Sequence, residues 1–124
     1  MDMKELLTRF YARERDVLFN NMHPDYRCHT PGNSQISGTF HGKDGMIAHI
    51  QQMQQLTGQT FRPHHLGTFL ADGEWGLVPV HLNADRNGKR LDQPAFGVWR
   101  FKDGLVIEHW ENPTAMTAFD NFWA

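Results

Sequence analysis

Only one cysteine, Cys28, occurs in the chain, which excludes an internal disulfide and suits a reducing cytoplasm. Positive charge is also scarce: 12 Lys and Arg stand against 14 Asp and Glu, a net charge of −2. A nucleic-acid partner, which needs a basic face, is therefore not expected. No apolar run approaches the length of a membrane span, and the charged start "MDMKELLTRF" has no signal-peptide core. No membrane partner is expected either. The chain has no His-Glu-x-x-His or His-x-His spacing, no phosphate loop and no Gly-x-Ser-x-Gly elbow. His29, His64, His109 and Glu111 are zinc-type ligands, but without such spacing neither a metal site nor any other cofactor is expected.

The 124 residues do contain 8 His and 12% aromatic residues. That length fits one domain, residues 1–124, with a core and one pocket. Asp2 followed by Glu5 reads as a helix N-terminal capping box. Leu6, Leu7, Phe10, Tyr11, Val17 and Leu18 then recur at helical spacing, predicting one or two helices over residues 3–20. "YRCHTPG" (26–32) reads as a short strand and "GNSQISGTFHG" (32–42) as a loop. In "KDGMIAHIQQMQQL" (43–56), Met46, Ile50 and Met53 share one helical face.

Three turn signals follow at even spacing: Asp72-Gly73, Asn87-Gly88 and Asp103-Gly104. They predict four long strands, about 60–71, 75–86, 89–102 and 105–113, in an antiparallel meander. "TAMTAFDNFWA" reads as a short closing helix. Helices followed by a meander predict an α+β fold with the helices packed on one sheet face.

The sequence also predicts which strand face is inside. With Lys102-Asp103-Gly104 as a type I turn, Phe101 pairs with Leu105, Trp99 with Ile107, Gly97 with His109 and Ala95 with Glu111. Cross-strand partners share a face, so His109 and Glu111 point inward, about 6–7 Å apart along their strand. Strand 75–86 alternates so that His81 faces out. In "FRPHHLGTFL", placing Leu66 inward brings His64 inward beside Arg62.

"RFYARERD", "YRCHTPG", "SGTFHGKDGMIAHI", "LTGQTFRPHH", "FLADGEWGLVPV", "RNGKRLD" and "WRFKDGLVIEHWENP" together resemble the nuclear transport factor 2-like superfamily. The branch is that of ketosteroid isomerase and the SnoaL-like polyketide cyclases. The resemblance implies a cystatin-like α+β barrel, a bent antiparallel sheet wrapped as a cone by N-terminal helices. It also implies that His29 stands where the isomerase carries its catalytic carboxylate. Gly97 matches the oxyanion-binding acid, which is absent here, and leaves room in the cone. Phe10 or Tyr11 matches the helix-one tyrosine. Glu111 takes the place of the cyclase's catalytic Asp.

The expectation is then a small cofactor-independent enzyme acting on an apolar carbonyl compound by general acid/base proton transfer. Isomerisation, aldol cyclisation and dehydration all fit. The candidate catalytic residues are His29, Glu111 and His109. The candidate substrate-binding residues are Tyr11, Arg27, His64, Gly97, Trp99 and Phe10. Arg27 shares His29's strand face, which places it to pair with Glu111 or an oxyanion. The alternatives are a non-catalytic small-molecule-binding domain and a dimerisation module. Homodimers are common in the superfamily, and Trp110 and Val98 on the outer sheet face suit such contact.

Overall fold

The computed structural model describes residues 1–124. Helix α1 (Met3–Tyr11) opens where the Asp2 side chain accepts a 2.7 Å hydrogen bond from the Glu5 backbone N–H, satisfying one orphan donor of the first turn. It stops at Ala12, and Arg13 turns the chain with φ of +75°. Helix α2 (Arg15–Phe19) follows. The two helices bury Leu6, Leu7, Val17 and Leu18 against the sheet, so the predicted 3–20 stretch is two helices.

The sheet has seven strands: β1 (Met22–Thr30), β2 (Gly38–His41), β3 (Arg62–His65), β4 (Leu70–Asp72), β5 (Trp75–Arg86), β6 (Lys89–Lys102) and β7 (Leu105–Pro113). Their order is β2-β1-β7-β6-β5-β3, with β4 also pairing β5. Helix α3 (Gly42–Leu56) crosses between β2 and β3, and α4 (Met116–Trp123) closes the end. Phe119, Phe122 and Trp123 of α4 are buried. No helix is long and apolar enough to cross a membrane.

Four features differ from the sequence reading. The sheet is mixed, because β1 runs parallel to β7. The segment read as a loop holds β2, which pairs with the edge of β1, and Ile36 within it is fully buried. The expected strand 60–71 is broken into β3 and β4 at Gly67, whose φ of +88° no extended strand accommodates. Its N–H donates to His65 Nδ1.

The fourth difference is the register of the β6–β7 hairpin. Lys102 pairs with Leu105 across a two-residue turn, and Asp103 and Gly104 have φ of +53° and +76°, the primed geometry that matches strand twist. Phe101 then pairs with Val106, Ile107 is an extra, bulged residue, and Arg100 pairs with Glu108. Trp99 therefore faces His109, and Gly97 faces Glu111. The shift is two residues, so His109 and Glu111 keep their inward face. Leu105 loses the inner position to Val106, which is fully buried.

Along β5 and β6 the alternation is clean. Val78, Val80, Leu82 and Ala84 on β5 and Leu91, Ala95, Trp99 and Phe101 on β6 are buried on the inner face. Each valine, leucine or phenylalanine among them removed from water contributes roughly 1.5–3 kcal/mol.

Candidate functional site

A cavity of about 130 Å³ lies between the inner sheet face and the helices. Its wall is mainly apolar, with Met46, Ile50 and Met53 from α3, Phe61, Leu82 and Phe119. The polar groups reaching it are few: Tyr11 from α1, Thr30 from β1, His49 from α3, and His109 and Glu111 from β7. An apolar chamber with a few convergent polar groups is the usual form of a small-molecule site.

Packing on the core fixes the His109 ring, which stacks on Trp99 with centroids 3.7 Å apart and planes 11° off parallel. Its Nε2 lies 3.2 Å from Glu111 Oε2. The distance is short but the alignment is poor, and Nε2 has no hydrogen-bond partner; nor has Glu111 Oε1, although both are buried. Unpaired buried polar atoms are costly, so this pair is set to receive a further group.

Tyr11 supplies a donor. Trp99 Nε1 donates to its hydroxyl oxygen at 3.3 Å. Burial, and then the Glu111 charge, holds the phenol well above its ordinary pKa of 10. The hydroxyl keeps its proton at neutral pH, and the Trp99 bond uses only its acceptor side. Phe10 packs edge-on to both Tyr11 and Trp99.

His49 is a functional candidate absent from the sequence reading. Its ring stacks on Phe40 at 3.9 Å and its Nε2 shares a 2.7 Å hydrogen bond with Thr30 Oγ1. Its Nδ1 is buried without a partner. Burial first, and the nearby His109 second, lower its pKa to about 4, so the ring is neutral at pH 7. The signal was present in the sequence: position 49 falls within the Met46–Ile50–Met53 stripe. Cys28 also borders the cavity, but burial pushes its thiol up to about 11, so it is not a thiolate nucleophile at neutral pH.

Three candidates are placed elsewhere. Tyr26 and Cys28 are buried inward on β1, so Arg27 and His29 project from the opposite, outer face. His29 borders the cavity along its strand, but its ring is engaged outside. Nε2 is 2.7 Å from Glu108 Oε2, Nδ1 is 2.9 Å from Thr39 Oγ1, and the ring stacks on Trp110. Arg27 pairs with Glu108 at 3.0 Å rather than with Glu111, and Arg100 reaches the same carboxylate at 3.5 Å. His64 is cross-strand to His81 on the outer face and is exposed; Pro63 takes the inward position instead. His81 itself pairs with Asp92.

Gly97 and Trp99 stand behind the cavity wall, beneath Tyr11 and His109, and so support the site rather than line it. The four zinc-type residues thus split between two sheet faces.

Comparison with known proteins fits this cone. The SnoaL-like domain family matches residues 3–109, and the chain belongs to that family. Bal32a, from a soil-derived mobile gene cassette, superposes with a TM-score of 0.87 at 30% identity, covering 97% of this chain and 95% of its own. A protein of unknown function with a cystatin-like fold from Xanthomonas campestris gives a TM-score of 0.88 at 24% identity, covering 100% and 99%. A putative SnoaL-like polyketide cyclase from Jannaschia sp. CCS1 gives 0.66 at 18% identity, covering 97% and 90%. The last two likenesses concern the fold alone. A search of curated proteins returned no match.

Proposed function

We propose that this protein is a small enzyme that moves a proton on a compact, largely apolar carbonyl compound held in the cone. Glu111 is the base and His109 its partner. Glu111 takes a proton from the carbon next to the carbonyl. The electron pair of the broken C–H bond moves to the carbonyl oxygen, and the enolate accepts a hydrogen bond from the Tyr11 O–H. Return of the proton at another carbon gives isomerisation. Attack of the enolate carbon on a second carbonyl, whose oxygen takes the proton back from Glu111, gives aldol cyclisation, and departure of a β-hydroxyl group with that proton as water gives dehydration. His29 has no part in this scheme, because both ring nitrogens are engaged outside the cone.

The observation that carries the reading is the buried, unpartnered Glu111 Oε1 beside an unpartnered His109 Nε2 in an apolar chamber. The test is hydrogen–deuterium exchange at the α-carbon of a panel of compact ketones in heavy water, followed by NMR. Protein-dependent exchange that falls at least about 100-fold in Glu111→Gln is expected, the scale of a general base. A ketone that binds without exchanging would make the cone a binding site instead.

We also propose that the outer sheet face joins two copies of the chain. His29, Trp110, Val98, Leu77 and Leu70 follow one another across neighbouring strands of that face. Leu70, Trp75 and Phe96 are 55%, 50% and 42% exposed. Contiguous exposed apolar groups of this kind mark interaction surfaces.

A further inference from the structure

Eight arginines occur in the chain, and five of them have partners. Arg9 pairs with Glu14, Arg27 and Arg100 with Glu108, and Arg90 with Asp85, while Arg86 donates to backbone carbonyls of the last residues. Arg13, Arg15 and Arg62 make no ion pair and donate no side-chain hydrogen bond, and all three are exposed. Arg13 and Arg15 border one void together; burial first, and then the charges of Arg62 and Arg15, lower the pKa of Arg13. Two unneutralised guanidinium groups on one void, with the charge of a third acting on them, are notable in a chain of net charge −2.

Their position is informative. A second void, of about 100 Å³, is bounded by Phe10, Tyr11, Ile50, Met53, Phe61 and Pro63, all of which also bound the inner cavity. The two voids meet across these side chains. The residues particular to the second void include Arg13, Arg15 and Gln54. Gln54 donates through Nε2 to the Phe61 carbonyl, which leaves Oε1 buried and without a partner. An acceptor there repels an anion, so a negative group is favoured only farther out, at the arginines. Among nearby acids, Glu14 is held by Arg9, and Asp16 lies beside Arg15 without forming an ion pair.

We infer that Arg13 and Arg15, reinforced by the charge of Arg62 from the edge strand, form a cationic collar at the mouth of the cone, and that the substrate is an amphiphilic anion. Its apolar, carbonyl-bearing end enters the chamber while a carboxylate or phosphate remains at the rim. The guanidinium fork suits either oxyanion, and a cationic rim on a low-dielectric cleft raises the local concentration of anions. The inference names the substrate class for the proton-transfer site proposed above and rests on that reading.

The test uses levulinate, a keto acid, against its neutral methyl ester, with acetonyl phosphonate as the phosphate-type arm. Binding is read by NMR shift perturbation and turnover by α-deuterium exchange. At low salt the wild-type protein is expected to bind an anionic probe about tenfold more tightly than the ester. That preference should shrink to about two- to threefold in half-molar salt. In the triple variant Arg13→Gln, Arg15→Gln, Arg62→Gln the ratio should collapse to near one; Arg15→Gln alone, with an unchanged melting temperature, should reduce it partly. Preference for levulinate or for the phosphonate identifies which oxyanion the collar takes.

Equal binding of anion and ester, a ratio unmoved by the triple variant, or no binding of either anion at millimolar concentration overturns the collar. The two readings fail separately. Equal exchange of keto acid and ester would remove the collar and leave proton transfer standing. Selective anion binding without exchange would do the reverse.

Discussion

The Tyr11 hydroxyl occupies the space that a side chain on Gly97 would need: a Cβ there would stand 2.6 Å from the Tyr11 oxygen and 3.3 Å from Trp99 Nε1. Gly97 is also the cross-strand partner of Glu111. The missing side chain on β6 thus lets the phenol settle beside the position from which the carboxylate leaves β7. Gly97→Ala should displace the hydroxyl and cost about 1–3 kcal/mol by overpacking, read by urea unfolding. Any α-deuterium exchange should fall with it. The cost should shrink in a Tyr11→Phe background, where no oxygen fills the gap. Additive effects in this double-mutant cycle would rule the relationship out.

Glu108 on the outer face is the residue whose loss should matter for stability rather than chemistry. Its side chain is only 7% exposed and is met by His29, Arg27 and Arg100. Glu108→Gln should cost about 3 kcal/mol, because removing one partner leaves the others uncompensated. His29→Ala, which removes one charge-assisted hydrogen bond, should cost about 1–2 kcal/mol and leave exchange within about twofold. A His29→Ala protein of normal stability that had lost exchange would return His29 to the catalytic set.

The hairpins were legible because their turns are chemically distinctive. Asn87-Gly88 and Asp103-Gly104 adopt the positive φ values that those residues tolerate best. The inward face of His109 and Glu111 followed from alternation, which a two-residue register shift preserves. The bulge at Ile107 carries no comparable signal, because any residue can occupy it. The parallel pairing of β1 with β7 joins segments far apart in the chain, and no turn announces it.

For His29 the resemblance and the local pattern point to different sides of the strand. In "YRCHT" the apolar Tyr26 and Cys28 alternate with Arg27 and His29, which by itself sends His29 outward. The signal at His49 is weak in the sequence, because a polar residue within an apolar helical stripe looks like an interruption rather than part of the buried face.

The outer face gives an association prediction. Trp75 stacks on Trp110 at 5.9 Å while half of it remains exposed. Light scattering at micromolar concentration should give the mass of a dimer, and Trp75→Glu should give that of a monomer, since a charge buried in an apolar contact is poorly tolerated. A monomeric wild-type protein would exclude the interface.

Cys28 offers an inexpensive check on burial. With its thiol pushed up to about 11, it should resist a thiol-reactive dye at pH 7.5 in the native protein and react rapidly once the chain is unfolded in denaturant. Fast labelling of the native state would mean that the cavity wall at β1 is open to solvent.

His49 predicts how stability follows pH. Its folded-state pKa of about 4 lies below the ordinary value of 6.5 that applies to the unfolded chain. Between these values the unfolded chain binds a proton that the folded protein refuses, so acid favours unfolding. The contribution is fully present above about pH 6.5, is lost as pH falls toward 4 and changes little below that. Its ceiling is about 3 kcal/mol for a shift of this size. Carboxylates titrate in the same range, so the informative quantity is the difference from His49→Gln, which keeps a polar side chain near Thr30 but cannot take up the proton. Urea unfolding from pH 7.5 to 4 should show the wild type losing stability more steeply than the variant, with the gap closing toward pH 4. Parallel curves would mean that His49 titrates normally, and that the polar atom facing the chamber is reached by water.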